Sequence, residues 1–242
     1  MKQKINSVSG PIGSHKTQTA ISFAGHSVEM AGQKVVFAQP SIHLIEETTK
    51  SFRLRFPNVL ATVIHSDNSK NVARDITKHV RASEEGEVLF ITQAALIRNP
   101  YWDRRGDWHL IVDEVPEAIY HIEIALPSNY GALIPALDIA PYNVKYSRLI
   151  PGDDELLTEI AENKGRDQFY QTIEDFAQKL KSNRWELYVL NEQYEKFVKG
   201  NDGGRLLVFG TIDTEIFAGF ASVTLMGANL ERSIFYSHLV QA

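Results

Sequence analysis

Between residues 5 and 112, short apolar runs alternate with amphipathic helical patterns, and this alternation limits the fold more than any single motif does. Ile5 to Val8, Lys34 to Ala38, Asn58 to Ile64, Val88 to Ile91 and Trp108 to Val112 read as strands. Helical patterns separate them: Thr17 to Ala31, a segment opening at Ser41 and running toward Phe56, Val72 to Ala82, and Gln93 to Ile97. Gly32 stops the first helix, and Ser41 suits the N-cap of the second. Continuous apolar strands joined by helices predict a parallel sheet covered on both faces. Sheets of this kind bind ligands at the carboxyl ends of their strands.

The first such end carries Gly10-Pro11-Ile12-Gly13-Ser14-His15-Lys16-Thr17. Glycines let the backbone curl so that successive N–H groups face phosphate oxygens, and the following helix N-terminus adds positive dipole. In this reading Gly10 through Thr17 hold the nucleotide, Lys16 reaches the outer phosphates, and the Thr17 hydroxyl ligates Mg²⁺. The pattern G-x-x-x-x-G-K-[ST] has glycine where this chain has His15. That position calls for positive φ, which histidine tolerates better than most non-glycine residues. Binding is expected to survive in weakened form; the alternative is a degenerate, non-hydrolysing loop.

A second strand end carries Asp113-Glu114, after His109-Leu110-Ile111-Val112. Two carboxylates there are costly unless paired, solvated or bound to metal. In a nucleoside triphosphatase Asp113 would hold Mg²⁺ through water, and Glu114 would deprotonate the attacking water as general base. The plain alternative is a strand-end turn with solvated carboxylates. Its intact presence argues against the degenerate-loop reading of His15.

Beyond residue 116 the alternation breaks. Prolines and turn residues crowd Leu126 to Tyr142, helical patterns follow at Asp153 to Glu162 and Asp167 to Lys181, and Leu187 to Leu190 fits strand or helix. Strand-like runs resume at Leu206 to Phe209 and Ala221 to Met226. The expected organisation is one domain over 1–242, with a mainly helical insertion at about 117–204 and the later strands rejoining the first sheet.

Residues 10–17 followed by Asp113-Glu114-Val115-Pro116 resemble motifs I and II of a superfamily-two, DEAD-like helicase. Phe37-Ala38-Gln39-Pro40-Ser41 is similar to motif Ia, Ile91 to Leu96 to motif Ib, and Val223 to Leu230 to motif III, with Gly227-Ala228-Asn229 where the family often has Ser-Ala-Thr. The resemblance implies a three-layer α/β, RecA-like P-loop NTPase lobe that binds ATP and Mg²⁺ and, with Lys16 and Glu114 catalytic, drives movement along nucleic acid. It implies that Gln39, Ser41, Thr92 and Gln93 contact the nucleic-acid backbone, although the same residue types serve equally as helix caps. It gives Gly227, Ala228 and Asn229 a part in coupling hydrolysis to strand binding, against the plain reading of a tight turn. It also implies a second lobe, in a longer chain or a partner, whose arginines complete the site. This chain alone is then expected to bind nucleotide and hydrolyse it slowly.

Bulk properties exclude other classes. The chain has no cysteine, so thiolate chemistry is absent. Eight histidines share no ligand spacing: His65, His79 and His109 read as surface or strand-end residues. A net charge of −5 argues against a non-specific nucleic-acid coat protein but not against a local groove for DNA or RNA, DNA being favoured. No apolar run approaches the roughly 18 residues of a membrane span, and the expected location is cytoplasmic, including the cytoplasm of a virus-infected or mobile-element-carrying cell. Trp102 and Trp108 beside Arg104-Arg105 suit base stacking less well than core packing. The rival functions are another P-loop ATPase, such as a terminase-like motor or an oligomeric ATPase, and a non-catalytic nucleotide- or nucleic-acid-binding regulator.

Overall fold

The computed structural model describes residues 5–11, 13–99, 101–116, 119–126, 130–201, 204–233 and 235–236. In chain order the first elements are β1 (Ile5–Ser9), α1 (Lys16–Ala31), β2 (Lys34–Gln39), α2 (Ile42–Arg55), β3 (Leu60–Ile64), α3 (Val72–Ala82), β4 (Glu87–Thr92), α4 (Gln93–Arg98) and β5 (Trp108–Val112). They continue with β6 (Ile119–Ala125), α5 (Tyr130–Leu133), β7 (Leu137–Pro141), β8 (Tyr146–Pro151), α6 (Asp154–Glu162), α7 (Gln168–Lys181), β9 (Trp185–Leu190), α8 (Asn191–Val198), β10 (Arg205–Ile212) and β11 (Ser222–Gly227). The chain divides into two compact units, Met1–Pro116 with Thr214–Ala242, and Glu117–Asp213.

The first unit is a three-layer α/β domain. Its six strands lie in the order β1-β11-β5-β2-β4-β3 and every pairing is parallel. Right-handed crossovers dictate the layers. The connections β1-α1-β2 and β2-α2-β3 run one way across the sheet, while β3-α3-β4 and β4-α4-β5 run back, so the two helix pairs fall on opposite faces. On the first face Ile21 and Ala24 of α1 and Ile45 and Phe52 of α2 pack on Val35, Phe37, Phe90 and Ile111. The alternate residues Val36, Leu89, Leu110 and Val112 are equally buried on the other face, which explains the unbroken apolar runs in the sequence.

Helix punctuation follows the residues. Ser41, Asn71 and Thr92 accept the N-cap bonds of α2, α3 and α4. Gly32, at φ 58°, ends α1 by directing its N–H to Ser27 and Val28 carbonyls. Gly25 of α1 lies close against Phe56: a Cβ there would lie within 2.6 Å of three of its ring atoms. Gly25→Ala should therefore cost about 1–3 kcal/mol through overpacking. A thermal melt should show a loss of several degrees, at roughly 2–4 °C per kcal/mol for a chain of this size; an unchanged melt would mean that Phe56 repacks freely.

The second unit departs from the helical expectation. It holds a five-stranded antiparallel sheet, β6-β10-β9-β8-β7, with α6, α7 and α8 on one face. Leu206, Val208, Leu187, Val189 and Leu149 meet Leu157, Ile160, Ile173, Phe176 and Phe197 in its core. The run at 206–209 belongs to β10 in this sheet and does not rejoin the first one. Residues 187–190 resolve as strand, with α8 starting immediately after them. Strands β6 to β8 escape the sequence pattern because each has only one buried face: Ile119-Tyr-His-Ile-Glu-Ile-Ala places apolar and polar side chains side by side, which is weaker evidence than a continuous apolar run.

Candidate nucleotide site

All strands of the first sheet are parallel, so their carboxyl ends share one edge. That edge carries the loop after β1, Gln39 at the end of β2, Thr92 at the end of β4 with Gln93 next, Asp113-Glu114 after β5, and Gly227 at the end of β11 with Ala228-Asn229 next. Strand β11 sits between β1 and β5.

The loop after β1 curls around its own lysine. Lys16 Nζ donates to the carbonyl oxygens of Gly10 (2.9 Å) and Pro11 (2.8 Å) and to Ser14 Oγ (3.2 Å). These three bonds use all three ammonium protons, yet none of the acceptors is a carboxylate, so the positive charge has no counter-ion in the loop. Gly13 adopts φ 81°, and a Cβ on Gly10 would lie 2.9 Å from Ser14 Oγ, which would have to turn away. Helix α1 has neither a side-chain cap bond nor an acidic residue in its first turn. Its leading N–H groups and dipole are therefore available to an anion. Ile12 lies outside the described residues.

His15 has φ 57°, ψ 25°, the left-handed conformation expected at the glycine position of the pattern. That conformation costs an L-residue about 1–2 kcal/mol. His15→Gly should leave the fold intact with a stability change under about 1 kcal/mol, the relieved strain being offset by greater freedom of the unfolded chain. His15→Val, β-branched at the same φ, should lose about 1–2 kcal/mol. Urea unfolding of the two variants checks this, and equal midpoints would remove the strain argument.

Asp113 links this loop to β5. It is 3% exposed, and its carboxylate accepts from Thr17 Oγ1 (3.1 Å to Oδ1, 2.9 Å to Oδ2) and from Gln39 Nε2 (3.1 Å to Oδ2). Its backbone N–H donates to Ala38 O at 2.9 Å. Two oxygens converge here, a hydroxyl on α1 and a carboxylate at the sheet edge, from positions 96 residues apart. Glu114 is exposed and has φ 68°. Six non-glycine residues among those described have positive φ; three of them, His15, Glu114 and Asn229, follow the neighbouring strands β1, β5 and β11. Such strain persists where the surroundings enforce it, often at functional sites.

The four residues expected on the nucleic-acid backbone have internal partners. Gln39 is fully buried and binds Thr48 Oγ1 (3.0 Å) as well as Asp113, while its Oε1 has no hydrogen-bond partner. Gln93, 8% exposed, donates to the backbone of Asp113 and Glu114. Ser41 and Thr92 cap α2 and α4, at 3.2 Å from Leu44 N and 3.0 Å from Ala95 N. The residue types suited hydrogen bonding, but sequence alone does not say that both glutamines turn inward onto the acidic pair. Gly227 closes the group: its carbonyl accepts from Gly10 N at 3.3 Å, and a Cβ on it would lie 2.6 Å from Val115 Cγ2. Ala228 and Asn229 form the turn that follows, Asn229 at φ 54°.

The remaining candidates are structural. Trp102 and Trp108 are buried, and Arg105 binds the carbonyls of Glu215 and Ala218. His79 pairs with buried Glu87 (2.9 Å), and His109 Nδ1 meets Ser222 Oγ (2.8 Å). Among the described residues no group of three or more histidine or acidic side chains is arranged to hold a metal, and no helix is long and apolar enough to cross a membrane.

No family model matches the chain and no curated protein matches it. Among solved structures, one of S. tokodaii Xpd4 aligns over 93% of this chain and 53% of its own, at 12% identity and a TM-score of 0.41. The chain thus spans about half the length of that structure, and a likeness this low establishes no family.

Proposed function

We propose that the first unit binds ATP with Mg²⁺ and hydrolyses it, as the first lobe of a nucleic-acid helicase or translocase. The observation that carries this reading is the Thr17–Asp113 hydrogen bond, which joins the loop after β1 to the strand-end carboxylate across 96 residues. A P-loop triphosphatase needs this pairing, since the same hydroxyl and carboxylate hold the metal.

The donor set fits the ligands. Mg²⁺ prefers hard oxygens and keeps waters and phosphate oxygens beside one or two protein donors, so the Thr17 hydroxyl and the Asp113 carboxylate suffice without a third protein ligand. The metal would supply positive charge to the β- and γ-phosphate oxygens. Lys16 would exchange its loop carbonyls for phosphate oxygens, and the α1 amides with the loop from Gly10 to His15 would surround the anion. Asp113 keeps Thr17 Oγ1 oriented. Glu114, at the exposed lip, accepts the proton of the attacking water at its carboxylate. Gly227 bears on both Gly10 and Val115, which supports a coupling role for the turn 227–229. Nucleic acid, DNA by preference, would lie over the same sheet edge, where Ser41 and Thr92 remain the nearer candidates and Gln39 and Gln93 the less accessible ones. A second lobe would supply the arginines.

Hydrolysis measured with and without single-stranded DNA tests this function. Stimulation by DNA supports it. Concentration-dependent activity indifferent to DNA would favour an oligomeric ATPase or packaging motor, and nucleotide binding with no hydrolysis in the presence of DNA and a supplied second lobe would favour a non-catalytic regulator.

A further inference from the structure

Gln93 stands at the start of α4, where its side chain is turned inward. Its Nε2 donates to Asp113 O at 2.8 Å and to Glu114 O at 3.1 Å, so one amide nitrogen spends both protons on consecutive carbonyls. Those two carbonyls belong to the peptide planes on either side of the Glu114 Cα. Holding both planes fixes the backbone at Glu114, the residue found at φ 68°. An exposed glutamate with no such restraint would relax toward negative φ, and its carboxylate would swing away from the edge. Gln39 holds the neighbouring residue differently, through the Asp113 carboxylate itself.

We propose that Gln93 is a positioning residue for Glu114: its side-chain amide locks the strained backbone that aims the Glu114 carboxylate. The proposal rests on Glu114 being the general base. A residue serving only to anchor α4 would make the same two bonds, so the distinction lies in what its loss changes. Gln93→Met keeps length and volume while removing both donors; Gln93→Ala leaves space for water and serves if the methionine variant does not fold.

In the nucleotide-free full chain, amide hydrogen exchange over 113–115 should be at least about tenfold faster in the variant, because the clamp no longer opposes local opening. With ATP, Mg²⁺ and single-stranded DNA under single-turnover conditions, the hydrolysis rate should fall about tenfold or more, as misaimed catalytic groups lose rate, while nucleotide affinity changes less than about twofold. In the Glu114→Gln background the same substitution should produce no further loss. Unchanged exchange, equal losses in both backgrounds, or affinity falling in step with rate would each overturn the positioning role. Where the wild-type chain hydrolyses ATP and Glu114→Gln inactivates it, a Gln93→Met variant as fast as wild type overturns this inference alone. A wild-type chain without hydrolysis even when DNA and a second lobe are supplied removes the base assignment, and the positioning role falls with it.

Discussion

Lys16→Ala is expected to weaken ATP binding by about 30- to 1,000-fold. The ammonium is the only side-chain cation in the loop as described, and its present acceptors are two backbone carbonyls and one hydroxyl. Phosphate oxygens carry full negative charge, so exchange onto them forms charge-assisted bonds worth about 1.5–3 kcal/mol each. Losing one to two such bonds, about 2–4 kcal/mol, gives the stated range. The fold should survive, because Lys16 is partly exposed and its bonds are local to the loop. Titration of a fluorescent ATP analogue into both proteins measures the effect, and equal affinities would show that the loop does not grip phosphate.

The second large effect concerns rate. Glu114→Gln should lower DNA-stimulated ATP turnover by about 10²- to 10⁴-fold, the usual contribution of a general base, and leave nucleotide affinity within about threefold. Glutamine has the same shape and the same cost at φ 68°, so the backbone strain is unchanged; only the proton acceptor is lost. The Asp113 carboxylate accepts from Thr17 and Gln39, and neither bond involves the Glu114 side chain. A fall in affinity equal to the fall in rate would assign Glu114 to holding nucleotide and not to accepting a proton.

What could be read in advance depended on how many faces of an element are buried. Strands β2, β4 and β5 are buried on both faces, so Val35 to Ala38, Val88 to Ile91 and Trp108 to Val112 stood out as apolar runs. Ser41 and Gly32 marked helix ends because one offers a hydroxyl acceptor and the other tolerates φ 58°. In the second unit β6 and β8 each turn only one side to the core, and His121, Tyr146 and Arg148 on the other side blur the strand signal, so the sequence pattern shows the helices α6 and α7 and hides the sheet. At the site, Lys16, Thr17, Asp113 and Glu114 were legible as residue types at strand ends. The inward turn of Gln39 and Gln93 was not, because a glutamine after a strand reads the same whether it faces solvent or a buried carboxylate. The positive φ at His15 was legible from the glycine it replaces, whereas that at Glu114 had no local sequence marker.

The most direct test is calorimetric titration of ATP into the wild-type chain, once with Mg²⁺ and once with a chelator. A joint site built from the loop, Thr17 and Asp113 predicts one ATP per chain, bound more tightly with Mg²⁺, and a metal effect that disappears in Asp113→Ala. No binding at millimolar ATP, or binding indifferent to both Mg²⁺ and Asp113, would contradict it.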